Sequence, residues 1–451
     1  MANKIIVTLV ILGVILGAGL GVLIWWLIRA DELYETIRLE GKGIGDVEYT
    51  AAYTRISDQG NMFWWFYPTL SASPTSRPVL MWLHGATGTP PSFLANFGMF
   101  GPYDTNMNRR NDSWVNDYNL LFVDAPLGTG FSSSVSRNAD DFPDIEQNVE
   151  HLLRTLQSFY SLHEDYNNSP LYICGQGDGS QLALSLAIRL LEEKDISGNF
   201  KGVILGNPVV SPALVLTKLG FYLEELGYID GNGRGAIRNL SNTITDLVRS
   251  EDYESAFNHF ISLGSFINEN AGAVAVNLDH IVEKMTRLPN QDYFGEMSYI
   301  ESEFNMKNNM NDFMNNVVAP ALGITDSVEY DGQRAYAIQA LKKTYMKPNV
   351  DKVEHILNNT NLTISIYNGN LDAVSNTPGQ LEWINHLEWT GQSDFMNKSR
   401  ETLIFNSLIE GYFRESERLR FYWINVAGLL VPYDNSIGMR RVLHRTVNLE
   451  L

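Results

Sequence analysis

Seventeen residues near the middle of the chain constrain the fold more than any other stretch. Pro170 to Leu186 read P-L-Y-I-C-G-Q-G-D-G-S-Q-L-A-L-S-L. The apolar run Leu171–Cys174 fits a short buried strand, whereas Leu182, Ala183, Leu186, Ala187, Leu190 and Leu191 recur at helical spacing. Between them, Gly175, Gly177 and Gly179 predict a tight strand-to-helix elbow whose tip needs a backbone conformation that side chains resist. In an elbow of the pattern G-x-S-x-G, the tip is a serine held out as a nucleophile. Here the tip is Gly177, so the turn is present without the attacking group.

The flanking stretches extend the pattern. Strands are predicted at 62–68, 78–84 and 119–124, and a helix from Asp144 to about Leu162, whose Val149, Leu152, Leu153, Leu156 and Phe159 form one apolar face. This alternation predicts an α/β fold, a mostly parallel sheet with helices on both faces. After a strand at 201–207, residues 211–345 show helical periodicity and few strand signals. They are expected to form a helical cap inserted between strands of the sheet, with the alternation resuming near Leu362. The expected divisions are an N-terminal anchor over 1–32, a first core part over 33–210, the cap over 211–345 and a second core part over 346–451. Asp31 to Tyr49 is largely polar and reads as a stalk. Such sheets bind ligands beyond the carboxyl ends of their strands, so the cap is expected to roof the elbow.

Residues 5–28 carry no charge over 24 positions, where a membrane-spanning helix needs about 20. Trp25 and Trp26 would then sit at the membrane interface. The expectation is an uncleaved single-pass signal anchor with the large domain lumenal or extracellular. The alternative is a secreted or lysosomal protein released by cleavage near residue 19. Six N-x-[ST] triplets, at Asn111, Asn167, Asn239, Asn358, Asn361 and Asn397, are candidate glycosylation sites. Cys174 is the single cysteine, so no intrachain disulfide forms; in its strand it reads as a small core residue. A net charge of -19 argues against nucleic acid, whose binding needs basic patches.

Beyond the elbow, five further stretches carry a resemblance. Met62-Phe-Trp-Trp-Phe-Tyr67 and Val79-Leu-Met-Trp-Leu-His-Gly85 lie early, followed by Trp114 to Ser132, W-V-N-D-Y-N-L-L-F-V-D-A-P-L-G-T-G-F-S. Tyr367-Asn-Gly-Asn-Leu-Asp372 and the segment from Phe421 to Asp434 come late. Together these resemble the serine carboxypeptidase family of α/β-hydrolases, in particular the branch that includes the retinoid-inducible serine carboxypeptidases, over nearly everything after about residue 45. The resemblance implies an α/β-hydrolase fold and assigns roles by position.

The nucleophile, base and orienting acid fall at Gly177, Leu429 and Asp372, and the backbone oxyanion hole at Gly85 and Asp178. Only the aspartate keeps its side chain, and acyl transfer needs all three groups. The groups with which the family grips a terminal carboxylate fall at His84, Met99 and Gln176, and the family's G-G-P in the oxyanion loop reads Gly85-Ala86-Thr87. Ser180 reads as a helix-start serine, and Ser132 to Ser134 as structural loop residues. No cofactor is expected, and no spacing of His, Cys, Asp and Glu near these positions looks like a metal site. The expected function is therefore binding of a protein or peptide partner, as a receptor, adhesion molecule or scaffold, by a catalytically inactive member of the family. The alternative is a serine-type carboxypeptidase or other hydrolase with an unrecognised nucleophile.

Overall fold

The computed structural model describes residues 35–85, 87, 89–136, 138–193, 199–270, 276–283, 310–325, 327–332 and 335–448. Its described residues include a 12-stranded sheet in the order β1-β2-β3-β5-β4-β7-β8-β9-β12-β11-β10, with β6 paired to β3. Going along the chain, these are Thr36–Arg38 (β1), Thr50–Ile56 (β2), Gly60–Tyr67 (β3), Val79–Leu83 (β4), Asn119–Val123 (β5) and Ser133–Ser134 (β6). Pro170–Gln176 (β7), Asn199–Gly206 (β8), Thr363–Gly369 (β9), Glu401–Phe405 (β10), Leu408–Glu415 (β11) and Leu419–Ile424 (β12) complete the set. From β5 through β4, β7, β8 and β9 to β12 every pairing is parallel, and the flanks are antiparallel. The α/β-hydrolase fold expected from the sequence is the fold observed.

Both faces of the sheet are covered because the central strands are apolar throughout and must be buried on each side. One cluster stacks Trp65, Tyr67, Trp82 and Phe122 with the irregular helix Leu94–Phe100; the other packs Trp64, Phe66, Leu121 and Ile173 against the helices Ile145–Leu162 and Gly179–Glu192. Helix Ile145–Leu162 starts where the sequence marks it. Asp144 accepts from the Gln147 amide at 2.8 Å while the Gln147 side chain accepts from the Asp144 amide at 3.0 Å, a reciprocal cap that satisfies two otherwise unpaired donors.

Between β8 and β9 the described residues are helical, and Gly231–Arg249 and Tyr253–Ile261 pack into a third apolar cluster with Leu219, Leu223 and Tyr345. Two stretches differ from expectation. Residues 44–47 do not form a stalk: Ile44 and Val47 enter the core, and the Tyr103 hydroxyl accepts from the Val47 amide at 2.8 Å. Near the end, β10, β11 and β12 follow one another as an antiparallel meander where alternation with helices was expected.

Membrane anchoring is corrected as well. Among the described residues no helix is long and apolar enough to cross a membrane. The longest of them, Ile145–Leu162 and Gly231–Arg249, are amphipathic, with one buried face and one polar face. The 5–28 stretch on which the single-pass expectation rested lies outside the described residues.

Arg418 fastens the second half of the sheet to its covering helix. It precedes β12 and donates to the carbonyls of Leu357 at 2.9 Å, Ile356 at 2.8 Å and Leu362 at 3.0 Å, satisfying acceptors at the end of the helix Val350–Asn359. Arg418→Ala strips these carbonyls of a charged donor, and the expected loss is about 2–3 kcal/mol, read as a lowered urea midpoint with an unchanged slope.

Candidate functional site

The carboxyl ends of β7, β8, β9 and β12 lie side by side, and the segments leaving them build the site. β7 runs into Gly177 at φ +55 and then directly into the helix Gly179–Glu192. The Gly177 amide donates to the Gly206 carbonyl at 2.9 Å, and its own carbonyl accepts from the Ser180 and Val209 amides at 3.1 and 3.2 Å. A Cβ at Gly177 would meet nothing within 4 Å. The elbow tip therefore faces open space, where a side chain would fit but none exists.

Gln176 and Asn207 tie the elbow to its neighbours. Gln176 is buried, accepts from the Tyr367 hydroxyl at 2.8 Å and donates to the Leu429 carbonyl at 2.9 Å. Asn207, just past β8, donates to the Asp372 carboxyl at 2.7 Å and to the Gly428 carbonyl at 3.3 Å. Gly177, Asp372 and Leu429 are thus gathered at one end of the sheet, linked through two amide side chains. Neither Asn207 nor Tyr367 is given a role by the sequence reading, although Tyr367 opens one of the family-like stretches. The available signal was their position at the ends of adjacent parallel strands.

Asp372 is fully buried, and its second oxygen accepts from the Ser375 amide at 2.8 Å. Burial, and then the nearby Asp279 carboxylate, push its pKa up to about 8, against the hydrogen bonds from Ser375 and Asn207. A group that holds its proton at neutral pH is a poor orienting anion for a base. Leu429, read from the sequence as standing where the family has its base, presents an alkyl group that packs against the core.

A segment of the inserted region lies across these loops. The Leu278 carbonyl accepts from the Ala373 amide, the Ile281 amide donates to the Leu371 carbonyl, and the Asp279 carbonyl accepts from the Leu429 amide, each at 2.8 Å. Leu278, Asp279, His280 and Ile281 are all buried. Backbone of this segment is therefore hydrogen-bonded both to the aspartate loop and to the main chain of Leu429. Its sequence, N-L-D-H-I, is too short and mixed to announce this.

Gly85 and Asp178, the positions expected from the sequence to form an oxyanion hole, lie against one another. Gly85 sits at φ +78, and the Asp178 carboxylate lies 2.3 Å from where a Cβ at Gly85 would project. Asp178 in turn accepts from the Thr87 amide at 3.3 Å and from the Thr87 hydroxyl. A carboxylate this close to Gly85 opposes negative charge developing nearby. Ala86 lies outside the described residues. Burial holds the His84 imidazole down at a pKa of about 4, against the Thr89 backbone, which raises it, so it is a weak base at neutral pH. Met99 is buried in the apolar helix Leu94–Phe100.

The serines near the elbow are engaged elsewhere. Ser180 is buried and its hydroxyl accepts from the Val209 amide at 3.0 Å. The Ser132 hydroxyl accepts from the Phe63 amide at 2.8 Å and donates to the Asp124 carbonyl at 2.5 Å, and Ser133 and Ser134 form β6. Cys174 is buried, and desolvation raises its thiol pKa. All six candidate glycosylation asparagines are exposed; Asn239 lies within a helix, and the Asn358 amide donates to the Glu388 carbonyl at 2.9 Å.

Comparison with known proteins gives this arrangement its lineage. Residues 42–449 match the family described as Serine carboxypeptidase. The chain belongs to the serine carboxypeptidase family. It is 27% identical to the human retinoid-inducible serine carboxypeptidase, with 94% of each chain covered, and 27% identical to the mouse protein of that name, covering 88% of this chain and 89% of the relative. Serine carboxypeptidase-like 51 of Arabidopsis thaliana is also 27% identical, covering 85% of this chain and 88% of the relative. Among solved structures, Kex1(delta)p, a prohormone-processing carboxypeptidase from Saccharomyces cerevisiae, superposes with a TM-score of 0.75 at 20% identity, over 91% of this chain and 95% of that one. That likeness establishes the shared serine carboxypeptidase fold.

Proposed function

We propose that this member of the serine carboxypeptidase family is a pseudoenzyme that acts by binding a protein or peptide partner. The observation that carries the reading is the site itself. Its elbow tip, Gly177, offers no nucleophile, and Leu429, at the position the family resemblance gives to the base, offers no imidazole. With no oxygen to acylate and no imidazole to take a proton, the triad chemistry of acyl transfer has no starting point. The intact sheet, the satisfied amide network and the large buried core support a role that uses the fold for recognition. A secreted or lysosomal placement is compatible with the absence of a membrane-spanning helix among the described residues.

The test is covalent. A fluorophosphonate probe is expected to leave the purified protein unlabelled under conditions in which an active serine carboxypeptidase is fully labelled, and blocked dipeptides are expected to remain intact at pH 5 and pH 7. Stoichiometric labelling with dipeptide cleavage would establish the chain as an enzyme with another nucleophile.

A further inference from the structure

A groove runs along the outer side of the helix that leaves the elbow, away from the loops that close the site. Two clefts form it. One, of about 360 Å³, begins at Asp178; the other, of about 440 Å³, extends to Glu192, and they share Ile145, Gln181 and Thr344 in their walls. From Asp178 to Glu192 the helix rises about 21 Å, the length of about six extended residues. Its walls are this helix, the segment from Ala139 into the start of the helix Ile145–Leu162, and the chain from Ala340 into the helix Val350–Asn359.

Charge is distributed unevenly along the groove. Asp140, Asp144 and Asp178 lie at the elbow end, with Lys343 as the one cation in that cleft. At the far end are Lys347 and Lys352, neither of which takes part in an ion pair among the described residues. Arg189 in the same wall is already paired with Glu150 at 2.5 Å and Glu193 at 2.6 Å. Glu146, Asp351 and Glu192, the last 3.9 Å from Arg189, are the remaining carboxylates there. Lys352 is half-buried, and its ammonium donates at 2.7 Å to the Ser185 hydroxyl, which itself donates to the Gln181 carbonyl at 2.7 Å. Desolvation depresses the Lys352 pKa, Lys347 adds to the effect, and Asp351 and Glu146 oppose it. In a chain of net charge -19, a desolvated ammonium held by a neutral hydroxyl at the end of a peptide-sized groove is a position that an incoming carboxylate completes.

We propose that this groove binds an extended peptide segment, with Lys352 and Ser185 receiving a carboxylate and the acidic elbow end facing the basic or amino-terminal part of the peptide. The proposal rests on the binding role put forward above and gives it a site and a ligand chemistry. The carboxylate has two sources, a free carboxyl terminus or a glutamate or aspartate side chain.

The test uses the full chain and three mixed-sequence octapeptide pools: one with free carboxyl termini, one amidated and without acidic residues, and one amidated with internal glutamates. The readout on the wild-type protein is the rate at which Lys352 is modified by a soluble amine-reactive reagent, followed by mass spectrometry. Slowing of at least threefold by the free-acid pool and none by the non-acidic amidated pool is the expected result. Slowing by the internal-glutamate pool as well assigns the site to carboxylates of either source. Fluorescence anisotropy of the free-acid pool should show affinity about tenfold weaker for Lys352→Met, as expected for one lost charge-assisted hydrogen bond, with the circular dichroism spectrum unchanged. Equal modification of Lys352 with every pool, together with equal affinity of wild type and Lys352→Met, overturns the proposal. Mass spectra of the pools after incubation separate the two readings, because shortened peptides overturn the pseudoenzyme reading, whereas intact, unbound peptides overturn the groove alone.

Discussion

Gly177→Ser is expected to produce no carboxypeptidase. The hydroxyl would fit, since nothing lies within 4 Å of a Cβ at Gly177, and holding a serine at φ +55 costs about 1–2 kcal/mol. What it meets is an alkyl side chain at Leu429, and a serine without a base stays protonated. Removing the serine or the histidine of a triad costs about 10⁶ in kcat in the best-studied case, and the members act as a unit. The single variant should therefore stay within error of the unmodified protein. Gly177→Ser with Leu429→His restores the three side chains, but the histidine would arise under the Asp279 carbonyl, which accepts from the residue-429 amide at 2.8 Å, and beside an Asp372 that keeps its proton at pH 7. At most slow turnover of activated esters is expected from the double variant, with no peptide cleavage. Hydrolysis of p-nitrophenyl esters and blocked dipeptides at pH 5 and 7 measures both. Peptide cleavage by the unmodified protein, abolished by Ser180→Ala or His84→Ala, would refute the pseudoenzyme reading and name the substitute group.

Stability should fall as the solution is made more alkaline than pH 6.5. The folded-state pKa of Asp372 is raised from 3.8 to about 8 and that of Asp124 to about 6, mainly by burial. In each case the folded protein holds a proton that the unfolded chain has already released. The contribution is therefore complete below pH 3.8 and is lost as pH rises to the folded value. Burial lowers His84 and His151 from 6.5 to about 4, so their contribution has the opposite slope and is complete above pH 6.5. Between pH 4 and 6 the two pairs largely offset one another. From 6.5 to 8, of the groups whose shifted values lie in this range, Asp372 alone is still titrating, and at 1.36 kcal/mol per unit the loss is about 2 kcal/mol. Urea midpoints across this interval should drop for the wild type and stay level for Asp372→Asn. An equal drop in both proteins would show that Asp372 is not the group responsible.

The elbow was legible because its causes are local. An apolar run, three spaced glycines and a helical repeat all lie within 17 residues, and each acts through the backbone of its own segment. The capped helix after Asp144 was legible for the same reason. The meander at the end of the chain left only a faint signal: Asn406 and Ser407, both at positive φ, form a two-residue turn between β10 and β11, but the pair lacks the glycine that marks such hairpins most strongly. The cover over the site left almost none. Leu278, Asp279 and Ile281 are placed by backbone bonds to Ala373, Leu429 and Leu371, about 90 to 150 residues downstream, and backbone bonds of that range carry no residue code. Asn207 and Gln176 fall between these extremes, since their positions follow from strand ends while their partners depend on sheet order.

The three backbone bonds made by residues 278–281 also bear on how the molecule comes apart. They join a stretch inserted after β8 to two separate loops of the sheet's second half, those following β9 and β12. The inserted region cannot lift from the rim without exposing the Asp372 loop and leaving the amides of Ala373 and Leu429 unsatisfied, and the sheet's second half cannot fray without releasing the insert. Pieces coupled in this way melt as one cooperative unit rather than as a lid and a base. In an active hydrolase such coupling would obstruct substrate entry and product exit. For the binding role proposed above, it would keep the recognition surface in a single shape.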